Sequence, residues 1–482
     1  MEYIATIGME VHAEILTQTK MFCPCPNDLT AAGPNTHTCP VCLGMPGALP
    51  TINRTAVEAT ILTGMALNCS IAEFTKFDRK NYFYPDLAKG YQVSQYDLPL
   101  CSNGHLDVLV DGEPRRFGIR RVHLEEDTAR LVHGNGVSLI DFNRSGVPLM
   151  EIVTEADLHS PEDAHAYLTK LRQILRYLGV STGNMDEGAM RCEANISVSP
   201  KGSSVLGTRV EIKNINSFRS VRQAIAYEFE RQVRVLEEGG RLQQVTMGWD
   251  ENNLRTVFQR SKEGAEDYRY FPEPDLPPLT IDEHWFKSIQ GRMPELPDAR
   301  CARVTEQYGL RTADAELLTQ DRLVADYYED VVRVCDKKIA PQTVANWVLV
   351  ELFRLLSETN TEIARCPVSP AALAELLGLL TAETINGTTA KEVLSEMFRS
   401  GKGAAEIVEA RGLSQISDAD ALRTVVLQVL EQHSGPVQQY LAGKSQVMGF
   451  LVGQVMRQTR GKANVALVTD ILRQALAERN QA

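Results

Sequence analysis

Residues 7–14 read I-G-M-E-V-H-A-E, and their alternation constrains the fold more than any other stretch. Glu10, His12 and Glu14 alternate with Met9, Val11 and Ala13. This is the period-two pattern of a half-buried strand, so two carboxylates and an imidazole share one face. Like charges crowded on a strand face repel unless a cation or a basic substrate compensates them. Next come Cys23-Pro24-Cys25 and, thirteen residues on, Cys39-Pro40-Val41-Cys42. Four thiolates in two tight pairs can close a tetrahedral zinc site, and a closed all-thiolate set is structural because no coordination position stays open. Pro24, Pro26 and Pro40 stiffen the two turns. One pair is C-x-C rather than C-x-x-C, and four unrelated thiols are the competing reading. The first fifty residues thus predict a metal-bearing strand beside a zinc knuckle.

A chain of 482 residues is too long for one core. Short alternating runs at 106–110, 117–121, 138–143 and 149–154 read as strands, and Asp111-Gly112 is a hairpin signal. Ser160-Pro161-Glu162-Asp163 opens a helix to about Leu178, and Ser217 opens another to about Glu238. Strands and helices interleave without a βαβ rhythm, which predicts α+β. The proline-rich run 268–278 closes this region. Beyond it the pattern is helical, with expected helices at 321–334, 341–356, 369–380, 389–398, from an Asp418 cap to Glu431, 437–459 and 463–479. The expected fold is an α+β cradle (1–294), an all-α helical domain (295–410) and a small all-α tail (411–482).

No apolar run approaches the roughly 20 residues of a membrane span. The N-terminus lacks the character of a signal or transit peptide, so the chain reads as cytoplasmic. In that setting cysteine pairs are more often metal ligands than disulfides; the six scattered cysteines read as small buried hydrophobes. A net charge of −12 argues against a general nucleic-acid coat. Residues 440–482 differ, with Lys444, Arg457, Arg460, Lys462, Arg473 and Arg479 against Asp470 and Glu478, a local balance of +4. That favours a phosphate-backbone surface, although a solvated helical face fits the charge equally well.

A dispersed acidic constellation adds Glu125, Glu126 and Asp127 beside His123, then Glu151, Asp186, Glu187, Glu193 and Glu211. Carboxylates with an imidazole suit magnesium or manganese and commonly clamp nucleotide phosphates. Neither a G-x-x-x-x-G-K-[ST] loop nor a G-x-G-x-x-G after a strand is present, so any ATP site is of another kind. Lys76 to Asp86 interleaves cations and aromatics, as phosphate and base contacts require or as a packed amphipathic loop would.

Taken together, I-G-M-E-V-H-A-E, C-P-V-C-L-G-M-P-G-A-L-P, K-F-D-R-K-N-Y-F-Y-P-D, H-L-E-E-D-T, D-F-N-R-S-G-V-P-L-M-E-I-V-T-E, R-C-E-A-N-I-S, E-I-K-N-I-N-S-F, Y-R-Y-F-P-E-P-D-L and M-G-F-L-V-G-Q-V-M resemble the B-subunit family of aspartyl/glutamyl-tRNA amidotransferases, in order and over the whole chain. The resemblance implies ATP- and Mg²⁺-dependent phosphorylation of the side-chain carboxylate of Glu-tRNA(Gln) or Asp-tRNA(Asn). Ammonia channelled from the amidase subunit of the same heterotrimer then displaces phosphate, while a small third subunit wraps the pair. The misacylating aminoacyl-tRNA synthetase is a further candidate partner. Carried over by motif, Glu10, His12 and Glu125 are the catalytic Mg²⁺ contacts. Glu151, Glu187, Glu193 and Glu211 are second candidates; position 193 is often Asp in the family, and Glu lengthens the reach. Arg79, Lys80 and Tyr82 are expected at the channel mouth or phosphate site, and the cysteines at a structural zinc. The competing expectations are a tRNA-binding scaffold without catalysis and a free-standing metal-dependent hydrolase.

Overall fold

The computed structural model describes residues 2–28, 33–134, 136–261, 268–415, 419–459 and 461–481. The chain divides into two compact units, Met1–Pro297 and Asp298–Ala482.

The first unit is built on a nine-stranded sheet. In chain order its strands are β1 (Tyr3–Glu14), β2 (Ser70–Ile71), β3 (Cys101–Val110), β4 (Glu113–Glu126), β5 (Pro148–Thr154), β6 (Met190–Pro200), β7 (Val210–Ile215), β8 (Val245–Asp250) and β9 (Arg255–Ser261). Across the sheet they lie in the order β9-β8-β7-β6-β1-β5-β4-β3-β2. All neighbours are antiparallel except β7 and β8. The strand made first therefore sits in the middle.

β1 alternates as its sequence predicts. Ile7, Met9, Val11 and Ala13 are fully buried, while Glu10, His12 and Glu14 stay partly exposed on the other face. Each large apolar side chain withdrawn from water contributes roughly 1.5–3 kcal/mol before entropy is counted. A one-residue slip would send every carboxylate into the core, so the register is strongly specified.

Helices α1 (Arg54–Ala66), α2 (Pro161–Leu178) and α3 (Phe218–Glu237) cover the apolar face. α2 begins at the Ser160 cap, with Pro161 in the first turn and Asp163 completing a capping box; α3 begins at the Ser217 cap. Asp111 and Gly112, with φ of 50° and 84°, make the β3–β4 hairpin turn. α1 escaped sequence reading because it is apolar or Thr on nearly every side, leaving no amphipathic period. Its Thr60 and Thr63 hydroxyls donate to carbonyls one turn back, which lets them be buried. The proline-rich run folds back on the unit: Phe271–Pro272 pairs with Asp78–Asn81, and Leu279–Thr280 with Phe74–Thr75.

The second unit is helical throughout its described residues. Buried apolar residues form one cluster from Val304 to Val408 and another from Leu422 to Leu476. Two expectations are corrected. The helix expected over 341–356 passes through a π-helical turn, Trp347–Leu352, which brings Trp347, Val348, Glu351 and Leu352 inward, Glu351 meeting Lys391 at 2.5 Å. The single helix expected over 437–459 is two, Ser434–Leu441 and Val447–Gln458. Gly443, at φ 96°, takes the chain out of the helical region between them. The expected Asp418 cap and the Arg460 charge lie outside the described residues. Among the described residues no helix is long and apolar enough to cross a membrane.

Candidate active site

Strand register assembles the site on the open face of the sheet. Residues directly opposite one another share a face. His12 faces Arg191 on β6 and Glu151 on β5, and Glu151 in turn faces His123 on β4. One register step along, Glu10 faces Glu193. Glu125 is opposite Leu149, which is opposite Glu14. Residues separated by up to about 200 positions in sequence thus become neighbours.

Two clusters result. In the first, His12, Glu125 and Glu151 each offer a ligand atom, all within 4.8 Å of one another. His12 Nε2 is 3.4 Å from Glu125 and 3.3 Å from Glu151. Burial works against a charged imidazole, but hydrogen bonds to Glu125 and Glu151 outweigh it and push His12 up to about 10. Burial alone would raise Glu151; the imidazoles of His123 and His12 reverse this and hold it well below the usual carboxylate range. In the second, Glu10, Glu193 and Glu211 meet the same 4.8 Å criterion. Lys213 Nζ bridges them, 2.8 Å from Glu193 and 3.8 Å from Glu211. Thr246 donates its hydroxyl to Glu211 at 2.7 Å, and Asn195 donates to Glu10 at 2.9 Å. Burial, then Glu151, Glu193 and Glu211, raise the Glu10 pKa.

Both clusters line one cleft of about 590 Å³. Three of its cations are committed to acids: Arg121 to Glu151 at 3.6 Å, Arg191 to Asp127 at 2.7 Å and Lys213 to Glu193 at 2.8 Å. Lys80 differs. Among the described residues no carboxylate lies within 4 Å of its ammonium, which sits 5.1 Å from the Tyr268 ring centre and 5.8 Å from that of Tyr82. Burial opposes its charge, but Glu125, Tyr270 and Glu151 outweigh it, so its pKa is raised.

The expected residues are distributed unevenly. Glu10, His12, Lys80, Tyr82, Glu125, Glu151, Glu193 and Glu211 all line the cleft. Arg79 does not: its guanidinium is held in a fork by Glu273, with two contacts of 2.8 Å, and lies over Tyr91. Glu187 is exposed on the loop before β6, away from the cleft lining. Sequence reasoning missed Arg121, Arg191, Lys213, Tyr268 and Tyr270, all of which line the cleft. The signal for the first three was alternation, since each lies two residues from an acid or imidazole on its own strand. The two tyrosines were hidden in a run noticed only for its prolines.

The four cysteines converge as their spacing predicts. One sulfur from each of Cys23, Cys25, Cys39 and Cys42 lies within 4.8 Å of the others, a set able to hold a metal ion. Contacts with Cys23 lower Cys42 to about 5 against the effect of burial, with the Cys39 N–H and Lys20 helping. Of the six scattered cysteines, Cys101 and Cys192 are buried and Cys69, Cys301, Cys335 and Cys366 half-buried, with no disulfide.

Comparison with known proteins places this architecture. Residues 5–287 match the GatB/GatE catalytic domain and residues 326–476 the GatB domain. The chain belongs to the GatB/GatE family. It is 54% identical over 483 residues to the aspartyl/glutamyl-tRNA(Asn/Gln) amidotransferase B subunit of Moorella thermoacetica, covering 99% of this chain and all of the relative. Proteins of the same name from Carboxydothermus hydrogenoformans (51%) and Thermomicrobium roseum (53%) are similar over 482 residues, 99% of each chain. The catalytic-domain match spans every cleft-lining residue.

Proposed function

We propose that this chain is the B subunit of a tRNA-dependent amidotransferase, converting misacylated Glu-tRNA(Gln) or Asp-tRNA(Asn) to the amide with ATP and with ammonia from a separate amidase subunit. The partner set is completed by the small third subunit, together with the misacylating synthetase, and a cytoplasmic location follows from work in translation. The observation that carries the reading is one cleft holding two metal-competent carboxylate clusters beside a lysine with no carboxylate within 4 Å among the described residues, inside a family match covering the chain.

The acceptor carboxylate is ionised at neutral pH, so the first step needs position rather than a strong base. Its oxygen attacks the γ-phosphorus, the bond to ADP breaks, and an acyl phosphate forms. Ammonia then attacks the acyl carbon and phosphate leaves. His12, Glu125 and Glu151 fit a magnesium ion by donor chemistry and spacing, and when bound that ion neutralises phosphate oxygens. Lys80, with no carboxylate within 4 Å among the described residues and braced by Tyr82 and Tyr268, is placed to meet a phosphate. Glu10, its pKa raised, accepts the proton lost as the attacking ammonia becomes an amide. Arg79 is assigned to hold the Asp78–Asn81 strand through Glu273, and Glu187 carries no role.

The cysteine set suits structural zinc. A tetrahedron with Zn–S of ~2.3 Å has S···S edges of about 3.8 Å, and Cys39 Sγ lies 3.9 Å from Cys42 Sγ. Its loss is expected to cost stability before chemistry. The division 1–294, 295–410 and 411–482 belongs to the same reading, supported by separate apolar clusters on either side of residue 411.

The test is ATP-dependent amidation of both misacylated tRNAs with ammonia as donor, comparing wild type and Glu125→Gln in the full three-subunit assembly. Activity lost only in the variant supports the metal-held phosphoryl-transfer site. Equal activity moves that site elsewhere, and none in either favours the scaffold.

A further inference from the structure

Lys20 is a buried charge that the proposed reaction does not use. Its side chain is 1% exposed. Its ammonium donates to the carbonyls of His37 at 2.8 Å and Phe142 at 3.2 Å, and its third contact is Cys42 Sγ at 3.8 Å. Among the described residues no carboxylate lies within 4 Å of it. Glu126, which approaches the neighbouring Gly146, is committed to Lys89 at 2.6 Å and accepts the Val93 N–H at 3.0 Å. Two carbonyls solvate an ammonium but carry no net charge, and an ammonium out of water without a counter-ion is strongly disfavoured. Among the described residues the one contact of this ammonium able to bear a full negative charge is the sulfur.

That sulfur is itself singled out. Cys42 Sγ also accepts the backbone N–H of Cys39 at 3.2 Å. Four thiolates around a divalent ion carry a net charge of −2, which a buried site must offset. One adjacent lysine halves it. We infer that Lys20 is the built-in counter-ion of a four-thiolate metal centre, and that its charge sets how tightly the metal is retained. The inference rests on the proposed metal loading of the cysteines.

The same ammonium ties the centre to the sheet. Phe142 lies in the turn before β5; in that turn Ser145 donates its hydroxyl to the Cys42 carbonyl at 3.1 Å, and Gly146 accepts the Met21 N–H at 2.7 Å. Outer contacts to metal ligands commonly change retention 10–100-fold.

The test uses the full chain as wild type, Lys20→Met and Lys20→Arg, with metal content by elemental analysis, release of zinc to a chromogenic chelator, and melting with and without metal. Lys20→Met should release zinc at least about tenfold faster. It should also lower the melting temperature of the loaded form more than that of the stripped form, because without metal a Cys42 thiolate deprived of its lysine can take up a proton. Lys20→Arg, which keeps the charge, should retain metal nearly as wild type does. Unchanged release from Lys20→Met, or equal destabilisation of loaded and stripped forms, would overturn the inference, since that is what a merely structural pair of carbonyl bonds produces. If Lys20→Met does not fold, Lys20→Arg decides, and rapid metal loss there overturns it. A wild-type chain that takes up no metal removes the metal reading and this inference together, while leaving the amidation assay untouched.

Discussion

The two carboxylate clusters start from residues two positions apart on β1, yet they solve the same electrostatic problem differently. Around His12 the compensating charge is an imidazolium, which an incoming cation can replace by displacing a proton. Around Glu10 it is Lys213, whose pKa is raised because Glu193 and Glu211 outweigh its burial. A lysine cannot cheaply release its proton at neutral pH; it must move. The compensating charge of the first cluster can thus leave as a proton, whereas that of the second leaves only when a side chain moves.

The comparison breaks if the clusters prove interchangeable. Glu125→Gln should lower ammonia-dependent amidation by about a hundredfold or more, against about tenfold for Glu211→Gln. Equal losses would erase the distinction. The next largest effect is on pH. His12, raised to about 10, holds a proton that a cation must displace. Apparent Mn²⁺ affinity at this cluster should therefore rise about tenfold per unit as pH climbs from 7 towards 10. In the metal-free protein the sign is opposite: the stability from charging His12 is complete below its ordinary pKa and is lost as pH rises through about 10. Calorimetric titration separates the two.

Lys213→Met should leave three carboxylates facing one another and cost about 1–2 kcal/mol, discounted for partial exposure. Millimolar Mg²⁺ should restore the melting temperature of this variant more than that of wild type. Glu14 sharpens the contrast further, since burial and Asp127 lift it to about 7. A raised carboxyl favours the folded state while protonated, and that contribution disappears as pH rises through 7. Glu14→Gln should thus be more stable than wild type by about 1–2 kcal/mol at pH 8 and equal to it at pH 4. The smallest effect belongs to Glu187→Gln, which should change stability by under about 0.5 kcal/mol and leave activity unchanged.

What sequence could reveal here was local. The alternation of Glu10, His12 and Glu14, the Ser160 and Ser217 caps, the Asp111-Gly112 turn and the convergence of four cysteines all depend on neighbours a few residues away. What it could not reveal was register. Which acid faces His12 is settled by β1 pairing with strands about 140 and 180 residues downstream, and no short-range pattern encodes that. Motif resemblance named Glu10 and Glu125 together, but pairing assigns them to different clusters. Arg79 and Lys80 show the limit most plainly. They are adjacent in sequence and equally basic, yet strand alternation sends one to Glu273 and the other to the cleft.

The central place of β1 also has a consequence for how the protein is made. Tyr3–Glu14 leaves the ribosome well before both its partners, Pro148–Thr154 and Met190–Pro200, are synthesised. At ordinary elongation rates of about 5–20 residues per second, this strand waits on the order of ten seconds or more with both hydrogen-bonding edges open and an apolar face unburied. The His12–Glu125–Glu151 cluster cannot form until about residue 154 has emerged and the Glu10–Glu193–Glu211 cluster until about residue 215, so the cleft is completed only as the sheet closes. Truncated chains ending before β6 should accordingly aggregate, whereas chains carried beyond residue 297 should not.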